Sequence, residues 1–159
     1  MRKRQTRRSV ARPTQKGFVL IGMAVGMLLM LATLGMAFDF GRIYIARNEA
    51  QVFTDAAALT AAVKLDGTST GLGNAREAVA KLPGRWYLGT QEFKGVVVEF
   101  SADGKKWDAS SDAAAVTHVR VTAPANDVEI TFLRAVGGPE SFTVPAHSVA
   151  GTQPVRLTE

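Results

Sequence analysis

The sequence predicts an α+β protein in which one long N-terminal helix, membrane-spanning over its first half, runs into a small domain of a short helix and an antiparallel sheet. Three observations predict this. The stretch from Phe18 to Phe38 is uncharged, with Thr33 as its only hydroxyl side chain. Helical spacing of apolar residues then continues to Lys64 without a proline. Beyond about residue 96, short runs rich in Val, Thr and Phe alternate with Gly, Pro and Asn breaks, the pattern of strands and turns.

Residues 1–17 form a basic leader. Arg2, Lys3, Arg4, Arg7, Arg8, Arg12 and Lys16 face no acid there, and removing those seven from the 19 basic residues leaves 12 against 14 acids. The net charge of +5 therefore belongs to the leader. Lys and Arg beside an apolar span are retained on the cytoplasmic side, which places the N-terminus in the cytoplasm. The leader is suited to anionic lipid headgroups. It carries no aromatic residues and precedes no folded reader, so nucleic acid is not expected as a partner. The absence of cysteine excludes disulfides and thiol chemistry.

Residues 18–38 reach about 30 Å as a helix, the thickness of a bilayer's hydrocarbon core. Three fates compete for this region. It is an uncleaved signal anchor, or a prepilin-type substrate cut between Gly17 and Phe18, or a signal peptide. Lys16-Gly17-Phe18-Val19-Leu20-Ile21 resembles the start of type IV prepilins, with Gly22 at the position where Glu is common. Thr6 to Arg12 resembles a twin-arginine export motif, but the apolar run exceeds the usual 7–15 residues of a signal peptide. Within the span, Gly22 and Gly26 form a G-x-x-x-G stripe, across which a second helix can approach closely.

Residues 39–64 continue the helix outside the membrane. Phe38, Ile45, Val52 and Leu59 recur every seven residues, Ala56 and Val63 fill the neighbouring stripe, and Asn48, Glu49, Thr54 and Asp55 fall mostly elsewhere. Asp39 and Arg42 are three apart and can pair on one face. A helix from Phe18 to Lys64 measures about 70 Å. Asp66-Gly67 supplies its stop.

These residues carry a resemblance. The run Gly35-Met36-Ala37-Phe38-Asp39-Phe40-Gly41-Arg42, followed by Gln51 and then by Thr54-Asp55-Ala56-Ala57-Ala58-Leu59-Thr60-Ala61-Ala62, resembles the N-terminal signature of the TadE/TadG-like family of the tight-adherence (Tad/Flp) pilus assembly systems. The resemblance makes Asp39, Gly41, Arg42, Gln51, Asp55, Ala56, Ala57, Ala58 and Leu59 the signature positions. It implies a non-enzymatic structural component of pilus assembly, minor pilin or pseudopilin-like. Such a protein is held in the bacterial inner membrane by one span, with its C-terminal domain periplasmic or extracellular. The partners it implies are membrane lipid and other pilus-assembly or pilin-like subunits, including further copies of itself. A membrane-anchored binding module that never enters a filament is the alternative.

Residues 65–95 read as a linker with a short helix. Thr68 to Gly73 is expected to be flexible, with Asn74 as N-cap and Glu77 three residues on, and Pro83-Gly84 ending the helix near Leu82. Residues 96–159 form the β region. Strands are expected at Val96–Phe100, Ala115–Thr122, Val128–Phe132 and Ser141–Val144. Val119 and Val121 should face one way and His118, Arg120 and Thr122 the other. Asp103-Gly104 is a hairpin turn towards Lys106-Trp107, while Ala123 to Asn126 and Gly137-Gly138-Pro139 are breaks. Val119 to Thr122, Thr131 to Leu133, Gly137-Gly138 and Phe142 to Ala150 also resemble the family's distal segment, and the whole arrangement is pilin-like by analogy.

Candidates for chemistry are few. His118 and His147 lack partners at ligand spacing. Asp103, Asp108 and Asp112 do not reproduce the alternating ligands of a calcium loop. No cofactor or metal is expected. Trp86, Tyr87 and Trp107, flanked by Arg85, Lys105 and Lys106, either fill the core or form a contact surface for a neighbouring subunit or wall polysaccharide.

Overall fold

The structure is a computed structural model that describes residues 16–109 and 112–152. The basic leader up to Gln15, including the twin-arginine-like motif, lies outside the described residues, as does the chain beyond Thr152.

Helix α1 runs unbroken from Lys16 to Ala62, 47 residues. It starts two residues earlier and stops two residues earlier than its pattern suggests. After Ala62 the chain tightens, Lys64 N–H donating to the Ala61 carbonyl and Leu65 N–H to that of Ala62, and Gly67 takes the left-handed conformation (φ 78°) that closes the turn. From Phe18 to Leu31 α1 stands bare. Phe18, Leu20, Met23, Met27 and Met30 are all exposed. One helix of the described residues is long and apolar enough to cross a membrane, and it is this one.

Helix α2 covers Ser69–Ala80, so the expected flexible linker is instead the first turn of a helix. Thr68, not Asn74, is the cap: its hydroxyl accepts from Gly71 N–H at 3.0 Å, and Asp66 in turn accepts from the Thr68 N–H and hydroxyl. Gly71 and Gly73 are tolerated because Leu72, Ala75 and Val79 gain burial against α1, which outweighs their weak helical preference. Glu77 pairs with Lys81 at the exposed end.

A small antiparallel hairpin that sequence pattern did not reveal follows, β1 (Arg85–Trp86) with β2 (Gln91–Glu92). The main sheet has the order β3-β4-β5, all antiparallel, built from β3 (Val97–Ser101), β4 (His118–Glu129) and β5 (Ser141–Gly151). The turn after β3 is as expected. The Asp103 carboxylate accepts from Lys105 and Lys106 N–H, Gly104 has φ 70°, and Phe100 bridges to Asp108.

Two expected strands prove to be one. Pro124 interrupts nothing, because β3 ends its pairing at Thr122 and the β4 edge beside Pro124 has no partner needing an N–H. A register shift between Ala123 and Asn126 absorbs the irregularity, and Asn126 donates to the Pro124 carbonyl. Beyond Glu129 the expected strand stops, and Phe132–Ala135 forms a one-turn helix, α3, before β5.

Val119 and Val121 are fully buried, with His118, Arg120 and Thr122 on the half-exposed face. The core lies between the Val119–Val121 face and α1. Ala57, Ala58, Ala61 and Ala62 meet Leu72, Val79, Phe100, Val119 and Val121 at one end. Ala46 and Ala50 meet Trp86, Phe93, Ala123, Val128, Val144 and Ala146 at the other. The helix presents small side chains to the sheet, so that backbone approaches backbone.

Candidate functional site

Four residues of the helical signature, Asp39, Arg42, Gln51 and Asp55, meet the β4–β5 hairpin at two junctions. At the first, Asp39 is 1% exposed although it sits one residue beyond the apolar run. Its carboxylate accepts from three consecutive backbone N–H groups, Thr131 at 3.1 Å, Phe132 at 2.8 Å and Leu133 at 2.7 Å. These are the unpaired donors of the α3 N-terminus, and an ionised acceptor makes such bonds stronger than neutral ones. Burial works against the charge, but the bonds from Leu133, Thr131 and Phe132, with Arg42 nearby, more than offset it and hold the carboxyl below its ordinary value.

Arg42 does not bridge to Asp39; it donates to the Thr131 hydroxyl at 3.1 Å and lies over the Tyr87 ring at 5.0 Å. One turn towards the span, Gly35 is buried against α3. A Cβ placed on Gly35 would lie 2.6 Å from that of Phe132, so only glycine fits. The Phe132 ring also stands edge-on to Phe38, with centroids 5.6 Å apart.

At the second junction, Gln51, Thr54 and Asp55 gather around Ser148 of β5. Gln51 donates to Asp55 at 2.9 Å and to the Ser148 hydroxyl at 3.0 Å. Thr54 and Ser148 hydroxyls are 2.8 Å apart, and Ser148 donates to Asp55. Thr54 is fully buried and Ser148 nearly so. Each hydroxyl is satisfied, as burial requires. A third tie comes from Glu49, whose carboxylate accepts from Tyr87 and Leu88 N–H at 2.6 and 3.0 Å. These two residues hold positive φ (58° and 56°), a conformation costly for large side chains that the Glu49 bonds help to offset.

The other singled-out positions divide by face. Ala57 and Ala58 are buried in the core. Ala56 and Leu59 point outwards, Gly41 is exposed with open space where a Cβ would be, and so are Gly22 and Gly26. Gly17 and Phe18 lie in the first turn of α1. The seven-residue apolar stripe proves to be the face turned away from the sheet: Phe38, Ile45, Val52 and Leu59 are all exposed, at 57%, 40%, 63% and 63%.

Sequence reasoning did not find Ser148, Thr131 or Glu49 as partners. Ser148 is separated from Gln51 by 97 residues, and a serine on a strand carries no local signal of its role. Of the aromatics, Trp86 is buried, stacked on Phe93, while Trp107 is half-buried beneath Arg120, whose guanidinium also pairs with Glu99 at 2.7 Å. They serve mainly as packing. Among the described residues no group of three His, Cys, Asp or Glu side chains is placed to hold a metal ion. What the junctions do chemically is fasten a helix to a sheet.

Residues 17–64 match the Tad family model, described as "Putative Flp pilus-assembly TadE/G-like". The matched stretch is α1 with its closing turn, and so includes Asp39, Gln51 and Asp55. Comparison with curated proteins and with solved structures found no match.

Proposed function

We propose that this chain, whose residues 17–64 match the TadE/G-like family model, is a membrane-anchored structural component of Tad pilus assembly, minor pilin or pseudopilin-like, acting by helix packing against other pilus-assembly subunits. The observation that carries the reading is the outward apolar stripe. Ile45, Val52 and Leu59 continue the apolar surface of the span beyond the membrane on the face turned away from the sheet, with Phe38 at the base of the row also packed against Phe132. An isolated exposed apolar residue is unremarkable, but an aligned row of this length favours a partner helix. Gly22 and Gly26 extend the same mode of packing into the membrane.

The N-terminus is cytoplasmic and the domain lies beyond the inner membrane in this reading, with residues 39–64 as the packing half of the helix. A cut between Gly17 and Phe18 would release the subunit's leader and permit filament entry. The test is to isolate sheared surface filaments and membranes from cells, sequence the mature N-terminus, and introduce single cysteines at Val52 and Leu59. Disulfide or bismaleimide cross-links to Tad components, or between copies, are expected from these positions and not from Thr143 on β5. A protein that stays wholly with the membranes and yields no cross-link from the stripe would leave the alternative, an anchored binding module. That alternative draws support from the open cleft of about 860 Å³ between α2 and the β3 edge, lined in part by Phe53, Arg76, Val79, Phe93 and Val98.

A further inference from the structure

The loop between β4 and β5 is built unlike a solvent-exposed hairpin tip. Its helical turn and the residue after it, Phe132-Leu133-Arg134-Ala135-Val136, are mostly apolar, and Phe132 and Val136 are 46% and 64% exposed. It does not project away from the domain. Gly35, Phe38, Asp39 and Arg42 each hold it, so α3 is fixed to the last turn of the apolar span. Gly35 lies three residues inside the end of that run, about 4.5 Å along the helix axis.

A second loop meets the same level. The tip of the β1–β2 hairpin places Tyr87 against Arg42 and leaves Leu88 77% exposed, and Phe40 and Tyr44 are exposed on α1 itself. Arg134, exposed and paired with Glu140, is the nearest cation on α3. Aromatic and apolar side chains ringing a helix where it leaves an apolar span, with arginines beside them, match the composition of the membrane–water boundary.

We propose that α3 and the turn after it are a second membrane-contacting element, with Phe132 and Val136 seated in the headgroup–acyl boundary so that the lipid surface covers the loop. The proposal rests on the reading of residues 18–38 as a membrane span. An interfacial element of this kind buries its apolar side only about 5–10 Å into the boundary, which fits a one-turn helix fastened at Gly35 to Asp39. Asp39 then has a purpose beyond capping: it satisfies backbone donors that neither lipid nor water would reach evenly at that depth.

The chain has no cysteine, so single labels are unambiguous. Full-length protein is reconstituted in phosphatidylethanolamine–phosphatidylglycerol vesicles, with a bimane label at Met27→Cys, Val136→Cys or Val149→Cys, and quenched by lipids brominated at shallow or deep chain positions. The expected result is quenching of position 27 by deep bromines and of position 136 by shallow ones, the latter at least twofold above the background level set by position 149. Quenching at 27 with position 136 matching position 149 overturns the proposal and leaves the span intact. No quenching at 27 overturns the span and the proposal together. Shielding of position 136 that grows with the protein-to-lipid ratio assigns the loop to a second copy and also overturns it. Val136→Asp, at a position 64% exposed, should lower the shallow quenching of a label at Ala135→Cys while leaving the denaturation midpoint of the domain unchanged.

Discussion

Asp103 shows how a single side chain can set acid sensitivity without contributing to the core. Backbone N–H groups of Lys106 and Lys105 and the Ser101 hydroxyl donate to its carboxylate and lower its pKa from the ordinary 3.8 to about 2. A depressed acid contributes stability above its unfolded pKa, and that contribution fades as pH falls through the folded value. Between about pH 4 and pH 2 the domain should therefore lose stability faster than an Asp103→Asn variant, as measured by denaturant midpoints across that range. Asp39 acts at a junction rather than a turn. Its identity was legible in the sequence as part of a signature, but its role was not. The three N–H groups that it takes lie 92 to 94 residues along the chain, and nothing near Thr131 marks them as donors waiting for a carboxylate.

For whole elements, the division of α1 into two faces decides what a substitution does. Ala57 is fully buried where the helix meets the sheet and α2, so Ala57→Leu should cost about 1–3 kcal/mol by overpacking, read from urea unfolding. Val52→Ala, on the outward stripe, should change folding stability by no more than about 0.5 kcal/mol. Periodicity announced the helix but not which face would be buried. A seven-residue row of large apolar residues looks like a core stripe, yet here the alanine row is the core, because only small side chains let the sheet come close. The same kind of competition explains β4 and α2. Pro124 reads as a strand break until one knows that β3 has already ended, and Thr68 reads as linker until Leu72 and Val79 find α1 to pack upon. Strand alternation at Val119 and Val121 was legible because it needs only one wet face and one dry one.

Taken as a whole, the molecule is held together by contacts between distant parts of the chain. The sheet pairs β4 with β5 along most of their length, and both of the polar junctions on α1 close on this hairpin. Removing residues 141–152 should therefore do more than shorten an edge. It strips Val144, Ala146 and Ala150 from the two core clusters and leaves Thr54 without its buried partner. The truncated domain should show no cooperative unfolding transition by circular dichroism, while α1 keeps its helical signal in detergent. Long-range closure of this sort is slow compared with local helix formation. The order in which a ribosome delivers the parts then matters: the apolar helix emerges before the domain, and the strand that seals Ala57 and Thr54 emerges after every other described element. Until β5 arrives, the alanine row is covered only in part, by α2, β3 and β4, and Thr54 has no buried partner. Commitment to the membrane thus precedes completion of the domain, and any encounter with a neighbouring helix in that interval takes place before the buried face is fully closed.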